Sequence, residues 1–297
     1  MATRFEFVLC GDNNVHLRAA GEEAIREIER IEKKLSFYQR NSIISQINAR
    51  AGYEPVRIDS ETFSFLENVS FLFQETDGAF DPTIAPLMKA WGFVKQSGSV
   101  PDQSAIDEAL EHTGMNRVRL DKARHTVQFE KPGVMFDPGG IGKGYALDQA
   151  ALILKEAGIE HALIHGGTSS VIAWGKPPDE WVWKIAIKHP DPSFQGKDEI
   201  LKVFELNNSA LSVSAVWGKA FEADGKLLGH IIDPRTGYPV DGAQLTACIA
   251  KNATLADVYS TAMLVSGTEN QLIHPKNDKI FSYFILLKNG NTISHNQ

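Results

Sequence analysis

Alternation of apolar and polar positions over residues 3–9 predicts a strand, followed by a turn at Gly11-Asp12-Asn13-Asn14. The period then changes. Residues 21–35 set Ala24, Ile25, Ile28, Ile31 and Leu35 on one face, with Glu22, Glu23, Arg26, Glu27 and Arg30 elsewhere, which predicts an amphipathic helix. A second helix is predicted over 60–76, with Phe63, Leu66, Val69, Leu72 and Phe73 inward and Asp59 or Ser60 as N-cap. A short helix near 103–113 and strands near 117–121 and 125–130 follow. Further on, a helix over about 142–157 is ended by Gly158, and Ala162–His165 reads as a short buried strand meeting Gly166-Gly167. Strands are predicted near 182–188, 200–206, 210–216, 227–232, 244–250 and 280–288, a polar loop at 191–199, and a helix over 254–266. Helices and strands mix without a regular βαβ rhythm, so the fold class is α+β with largely antiparallel sheet. No short-period repeat and no linker between independent domains is visible, so 1–297 reads as one unit.

Composition changes this picture little. A chain of 297 residues with 43% hydrophobic and 23% charged residues can bury an ample core. The net charge of −7 argues against a nucleic-acid-binding surface, although a local field can still favour an anionic ligand. Cys10 and Cys248 lie far apart with no C-x-x-C spacing, which argues against a disulfide framework or structural zinc. No apolar run is long enough to span a membrane, and no signal peptide is visible at Met1-Ala2-Thr3-Arg4. The simplest expected location is the cytoplasm, with export or lipid anchoring only if a further segment preceded Met1.

Candidate chemistry concentrates in Asp137-Pro138-Gly139-Gly140-Ile141-Gly142-Lys143-Gly144-Tyr145-Ala146-Leu147-Asp148. Glycines admit close ligand approach or positive φ, and a helix start offers N–H groups and partial positive charge to phosphate. Lys143 is placed to pair with such a phosphate. The segment is not a Walker A loop, because Gly144 follows Lys143, and Gly140-x-Gly142-x-Gly144 is not the dinucleotide spacing. The plain alternative is a glycine-rich turn before a buried helix.

Three further islands matter. Asp257 and Thr261 are four apart on a predicted helix, so both oxygens share a face. A carboxylate and a hydroxyl form a thin, hard donor set suited to Mg²⁺ shared with substrate phosphates; a solvated Asp and a back-bonded Thr are the alternative. His230-Ile231-Ile232-Asp233-Pro234-Arg235-Thr236-Gly237-Tyr238-Pro239 pairs a candidate general base, His230, with a turn that Asp233 and Arg235 can brace. Asp77-Gly78-Ala79-Phe80-Asp81-Pro82-Thr83, followed by Trp91-Gly92-Phe93, can line a ring pocket or simply form a helix-to-loop junction.

Taken in order with Met1, Thr3 and Leu35-Ser36-Phe37-Tyr38, these islands resemble the ApbE-type flavin transferases across nearly the whole chain. The resemblance implies an elongated, two-lobed α+β protein with FAD in the cleft between lobes. It implies that Met1, Tyr38, Ala79, Phe80, Asp81, Asp137, Lys143, His230 and Ile231 line the FAD site. It implies Mg²⁺ held by Asp257, Thr261 and a backbone carbonyl near Gly140. The implied reaction moves FMN from FAD onto a Ser or Thr of an acceptor flavoprotein and releases AMP, with Lys143 stabilising charge and His230 taking the hydroxyl proton. Two segments depart from the family pattern. Gly166-Gly167-Thr168-Ser169-Ser170 lacks the usual Asp after the glycines, and Val213-Ser214-Ala215-Val216-Trp217-Gly218-Lys219 replaces another Asp-containing stretch. Because of these departures, two alternatives stay open: an FAD pyrophosphatase with water as acceptor, and a flavin-holding protein without turnover.

Overall fold

Most of the period-two segments assemble into one central sheet. In the computed structural model, which describes residues 3–94, 97–190, 193–218, 220–223, 225–267 and 280–296, seven strands lie side by side in chain order. They are Phe5–Cys10, His161–Gly166, Ser170–Trp174, Ser209–Ala215, Ala243–Ala250, Ile280–Leu287 and Thr292–Asn296, each antiparallel to the next. Strand alternation gives the sheet two different faces. Ile172 and Ala210 face a core built with the helices Asn14–Leu35, Gly142–Glu156 and Ala253–Ser266. Val171 and Leu211, one residue out of phase, face a second core with Trp183, Ile187, Phe204 and Leu206. Those four belong to a two-stranded ribbon, Trp183–Lys188 with Ile200–Leu206. A third cluster joins Leu87, Trp91, Phe93, Ile106 and Ala109 to Ile232. Val56–Arg57, Thr126–Phe129 and Val118–Asp121 make a small separate sheet.

The expected α+β, largely antiparallel class is therefore what forms, with local differences that have physical causes. The first helix begins at Asn14 rather than near residue 21, because the Asn13 side chain accepts hydrogen bonds from the Val15 and His16 amides and caps it. The expected turn is thus the helix cap. Ile25 is not on the inward face: it is 43% exposed, since the longer helix buries the stripe Ala20, Ala24, Ile28, Ile31 and Leu35. The strand expected over 227–232 ends at Gly229, where an added Cβ would lie 2.4 Å from the Val216 carbonyl oxygen. Beyond it, only an isolated bridge from Ile232 to Pro239 remains. Within the expected loop 191–199, Gly196–Glu199 forms a 3₁₀ turn, and Asp191 and Pro192 lie outside the described residues. The sequence pattern also left out the helices Ile43–Arg50 and Ala85–Ala90 and the strands Ser170–Trp174 and Thr292–Asn296.

Asp59 caps the helix Ser60–Glu75, accepting from the Thr62 amide at 3.1 Å and the Thr62 hydroxyl at 2.7 Å. Lys34, in the last turn of the first helix, reaches Asp59 at 2.7 Å and Glu61 at 2.6 Å and ties the two helices together. Burial pushes the Asp59 pKa up, but hydrogen bonds from Lys34 and Thr62 and the Lys34 charge outweigh it and hold the group at about 2. A depressed folded-state pKa adds stability above the unfolded value of about 3.9, and that stability is lost as pH falls toward the folded value. Asp59→Asn keeps a capping oxygen but removes the charge. Its deficit in thermal midpoint against the wild type is expected at pH 7 and should shrink as pH falls from about 4 toward about 2. A pH-independent deficit would show that the charge contributes nothing.

Candidate functional site

The helix Ala253–Ser266 is buried on nearly every side and lies against the strands Ser209–Ala215 and Ala243–Ala250. Of its residues, Thr261 alone is not buried. Its N-terminus is fixed twice. Asn252 accepts from the Leu255 amide, and Asp148 accepts from the Ala253 amide at 2.8 Å, the Thr254 amide at 2.9 Å and the Thr254 hydroxyl at 2.5 Å. Burial raises the Asp148 pKa against those hydrogen bonds. Asp148, part of the glycine-rich segment, thus serves as a helix cap and does not line the cleft.

One turn inside this helix, Asp257 is 4% exposed. Its Oδ1 accepts from the Ser170 hydroxyl at 2.8 Å and the Ser212 hydroxyl at 2.6 Å, and its Oδ2 accepts from the Gly144 amide at 2.9 Å. Lys143 Nζ stands 3.6 Å from Oδ2. Thr261, one turn on, donates its hydroxyl to the Asp257 carbonyl at 3.0 Å and lies 3.1 Å from the Ser214 hydroxyl. An added Cβ at Gly140 would lie 3.8 Å from Thr261 Oγ1 and 3.3 Å from the Phe80 ring. Gly140, Asp257 and Thr261 are therefore brought together, although they come from two separate segments.

The glycines of this segment are used differently from the expectation. Gly139, Gly140, Gly142 and Gly144 are absent from the positive-φ positions, so none is needed for a left-handed backbone. Gly144 is needed for space: a Cβ there would sit 2.2 Å from the Ala253 carbonyl oxygen. It lets the helix Gly142–Glu156 touch the backbone of the Asp257 helix. The expected supply of helix-start amides for phosphate is also one smaller, because the Gly144 N–H is donated to Asp257. Asp137 caps the short turn Pro138–Gly140 by accepting from the Gly139 amide at 2.9 Å, and its own amide donates to the Pro82 carbonyl at 2.6 Å.

These groups open onto a cleft of about 950 Å³. Tyr38, Ala79, Phe80, Asp81, Asp137, Lys143, His230 and Ile231 all contribute to its wall, as do Gly140, Asp257 and Thr261. Met1 lies outside the described residues, as does Lys219. Tyr38 is 64% exposed, and its pKa is raised by burial of part of the ring and by the Asp137 charge. Asp81 is buried and latches its own loop, accepting from the Thr83 amide at 2.8 Å and the Thr83 hydroxyl at 2.6 Å; burial raises its pKa. His230 stacks edgewise on Phe93 with centroids 6.4 Å apart. Below it the turn is braced as expected: Arg235 donates Nε and Nη2 to the two Asp233 oxygens at 2.9 and 2.8 Å. Trp91 Nε1 donates to the Gly237 carbonyl at 2.8 Å and pins the turn to the core.

Cleft residues missed in the sequence come from strand ends. His165 lies opposite Glu6 in the register, and partial burial lowers its pKa. Ile185 and Lys188 of the ribbon also reach it. No local motif marks them; only the strand order brings them here. The departures from the expected pattern are both at the cleft, Thr168 and Ser169 on one strand end and Ala215, Trp217 and Gly218 on another.

Among the described residues no cluster of three or more His, Cys, Asp and Glu could hold a metal. The donors that do converge are one carboxylate and one hydroxyl beside a backbone turn, all oxygen. That set fits a hard divalent cation completed by substrate and water, and it does not fit zinc or copper.

The model of the ApbE family matches residues 1–283. A curated protein of Treponema pallidum (strain Nichols), "FAD:protein FMN transferase", is 30% identical over 85% of this chain and 73% of its own length. One of the same name from Klebsiella pneumoniae (strain 342) is 30% identical over 86% of this chain and 78% of its own. In structure, the ApbE protein of Thermotoga maritima superposes with a TM-score of 0.86 at 30% identity, covering 98% of this chain and 96% of that one. The flavinyl transferase ApbE of Pseudomonas stutzeri gives 0.83 at 27% identity, covering 99% and 90%.

The close approach at Gly144 supplies a test of the geometry. Gly144→Ala must push the two helices apart and draw the amide away from Asp257. A loss of about 1–3 kcal/mol in denaturant unfolding is expected, the usual range for overpacking a tight contact. Unchanged stability would mean that the helices are not in contact there.

Proposed function

The chain belongs to the ApbE family, and we propose that its cleft cleaves the pyrophosphate of FAD and transfers FMN to a Ser or Thr hydroxyl of an acceptor protein, releasing AMP. The observation that carries this reading is the convergence of Gly140, Lys143, Asp257, Thr261 and His230 on one cavity large enough for a dinucleotide. The relatives' common name, FAD:protein FMN transferase, supports both the substrate and the protein acceptor.

In this reading Asp257, Thr261 and the Gly140 carbonyl hold Mg²⁺. Bound there, the metal would neutralise pyrophosphate oxygens and the charge that develops on the leaving AMP. Lys143, whose ammonium is within reach of Asp257 but too far for a hydrogen bond, is placed to meet a phosphate oxygen as well. Tyr38, Ala79, Phe80, Asp81, Asp137 and Ile231 bind and orient the FAD, and Met1 completes the set. His230 accepts the proton of the incoming hydroxyl. The hydroxyl oxygen forms a bond to the FMN phosphorus, the bond from that phosphorus to the bridging oxygen breaks, and AMP leaves with the electron pair. The acceptor is a flavoprotein presenting a Ser or Thr in a flavinylation motif. No helix among the described residues is long and apolar enough to cross a membrane.

The test is incubation of the purified protein with FAD and Mg²⁺, with and without an acceptor domain, followed by intact mass and nucleotide analysis. An FMN-sized gain on the acceptor with stoichiometric AMP is expected. EDTA should abolish it. His230→Ala should slow it by about 10²–10⁴, the usual contribution of a general base. AMP and FMN released without acceptor labelling would favour hydrolysis, and FAD bound but intact would favour a flavin holder.

A further inference from the structure

The face of the sheet turned toward the helices is apolar at Ile172 and Ala210 but carries Ser170, Ser212 and Ser214 beside the Asp257 helix. Ser170 and Ser212 sit directly opposite one another in neighbouring strands. Both are essentially inaccessible to solvent, at 0% and 1% exposure. A buried hydroxyl on an apolar face is costly unless its proton is used. Here the use can be followed atom by atom.

An ionised carboxylate only accepts hydrogen bonds, so the single protons of Ser170 and Ser212 both go to Asp257 Oδ1, at 2.8 and 2.6 Å. Two donors occupy the lone pairs of Oδ1. The Gly144 amide takes one site on Oδ2, the oxygen beside Lys143, and one site on that oxygen is left. Thr261 is arranged similarly. Its proton is committed to the Asp257 carbonyl, so Oγ1 presents a lone pair to the cleft, and Ser214 stands against it at 3.1 Å.

We propose that Ser170 and Ser212 are positioning residues that lock the Asp257 carboxylate so that Oδ2 alone ligates the divalent cation. The inference rests on the metal reading given above. It also gives the Gly166-Gly167-Thr168-Ser169-Ser170 departure a role: the segment lacks an acid after the glycines but supplies a donor to the acid on the facing helix.

The experiment is Mn²⁺ titration followed by electron paramagnetic resonance, with and without FAD. The proteins are the wild type, Ser170→Ala, Ser212→Ala and Asp257→Ala, each with a thermal unfolding midpoint. Each serine variant is expected to weaken Mn²⁺ binding by about 10–100-fold, the range for outer-shell partners of a metal ligand, while remaining folded at the titration temperature. Should one variant fail to fold, the other carries the test. Wild-type Mn²⁺ affinity in the serine variants, with binding lost in Asp257→Ala, would overturn the positioning role and leave the metal reading standing. Undiminished binding in Asp257→Ala, or none in the wild type, would remove the metal from Asp257 and the inference with it.

Discussion

The structure depends on one buried carboxylate. Asp257 lies in a helix that is buried at every other residue but Thr261, and isolated burial of a charge is strongly unfavourable. Its compensation comes from three separate parts of the chain: a strand start at Ser170, the facing strand at Ser212 and the glycine-loop helix at Gly144. None of these can shift without stranding the charge. The sheet, the glycine loop and the Asp257 helix are thus held to one another by the group that the proposed chemistry uses.

That constraint explains the local sequence on either side of it. Gly144 must be glycine because its neighbour is backbone, 2.2 Å from where a Cβ would stand. Asp148, one turn further along the same helix, caps the Asp257 helix and fixes its position along the axis. A single short segment therefore sets both the distance and the register between the two helices. The cleft lies where this pair meets the strand ends, and His230, just before the Trp91-pinned turn, adds to its wall.

Much of this was legible in the sequence. The long periodic helices and the strands 200–206 and 244–250 follow from alternation and capping residues, and residues of all four islands line one cleft. What was not legible depends on tertiary partners. The exposure of Ile25 follows from a helix that starts earlier than its charged face suggests. The strand Ser170–Trp174 was hidden because Ser170, after Thr168 and Ser169, looks like a turn residue, and only the facing Asp257 makes it fit a buried face. The glycines of the segment 137–148 signalled a special backbone, but none has positive φ, and Gly144 is required for helix–helix contact. His165 and Ile185 enter the cleft only through strand order, which no local window contains.

Charge balance links this architecture to the proposed chemistry. The protein as a whole is acidic, with a net charge of −7, and the cleft adds Asp81, Asp137 and Asp257 to its walls. Lys143 supplies a positive charge beside Asp257 and Lys188 another on the cleft wall, against the carboxylates Glu6, Asp81, Asp137 and Asp257 and an incoming pyrophosphate. Two like-charged groups a few ångströms apart in a partly dry cavity repel by several kcal/mol, of order 4 kcal/mol at 4 Å for an intermediate dielectric. In the proposed reading, a pyrophosphate set against Asp257 would therefore be unfavourable unless a cation is shared between them. In the proposed chemistry, the carboxylate that organises the fold would make substrate binding and metal binding mutually dependent, through the oxygen Oδ2 that faces Lys143.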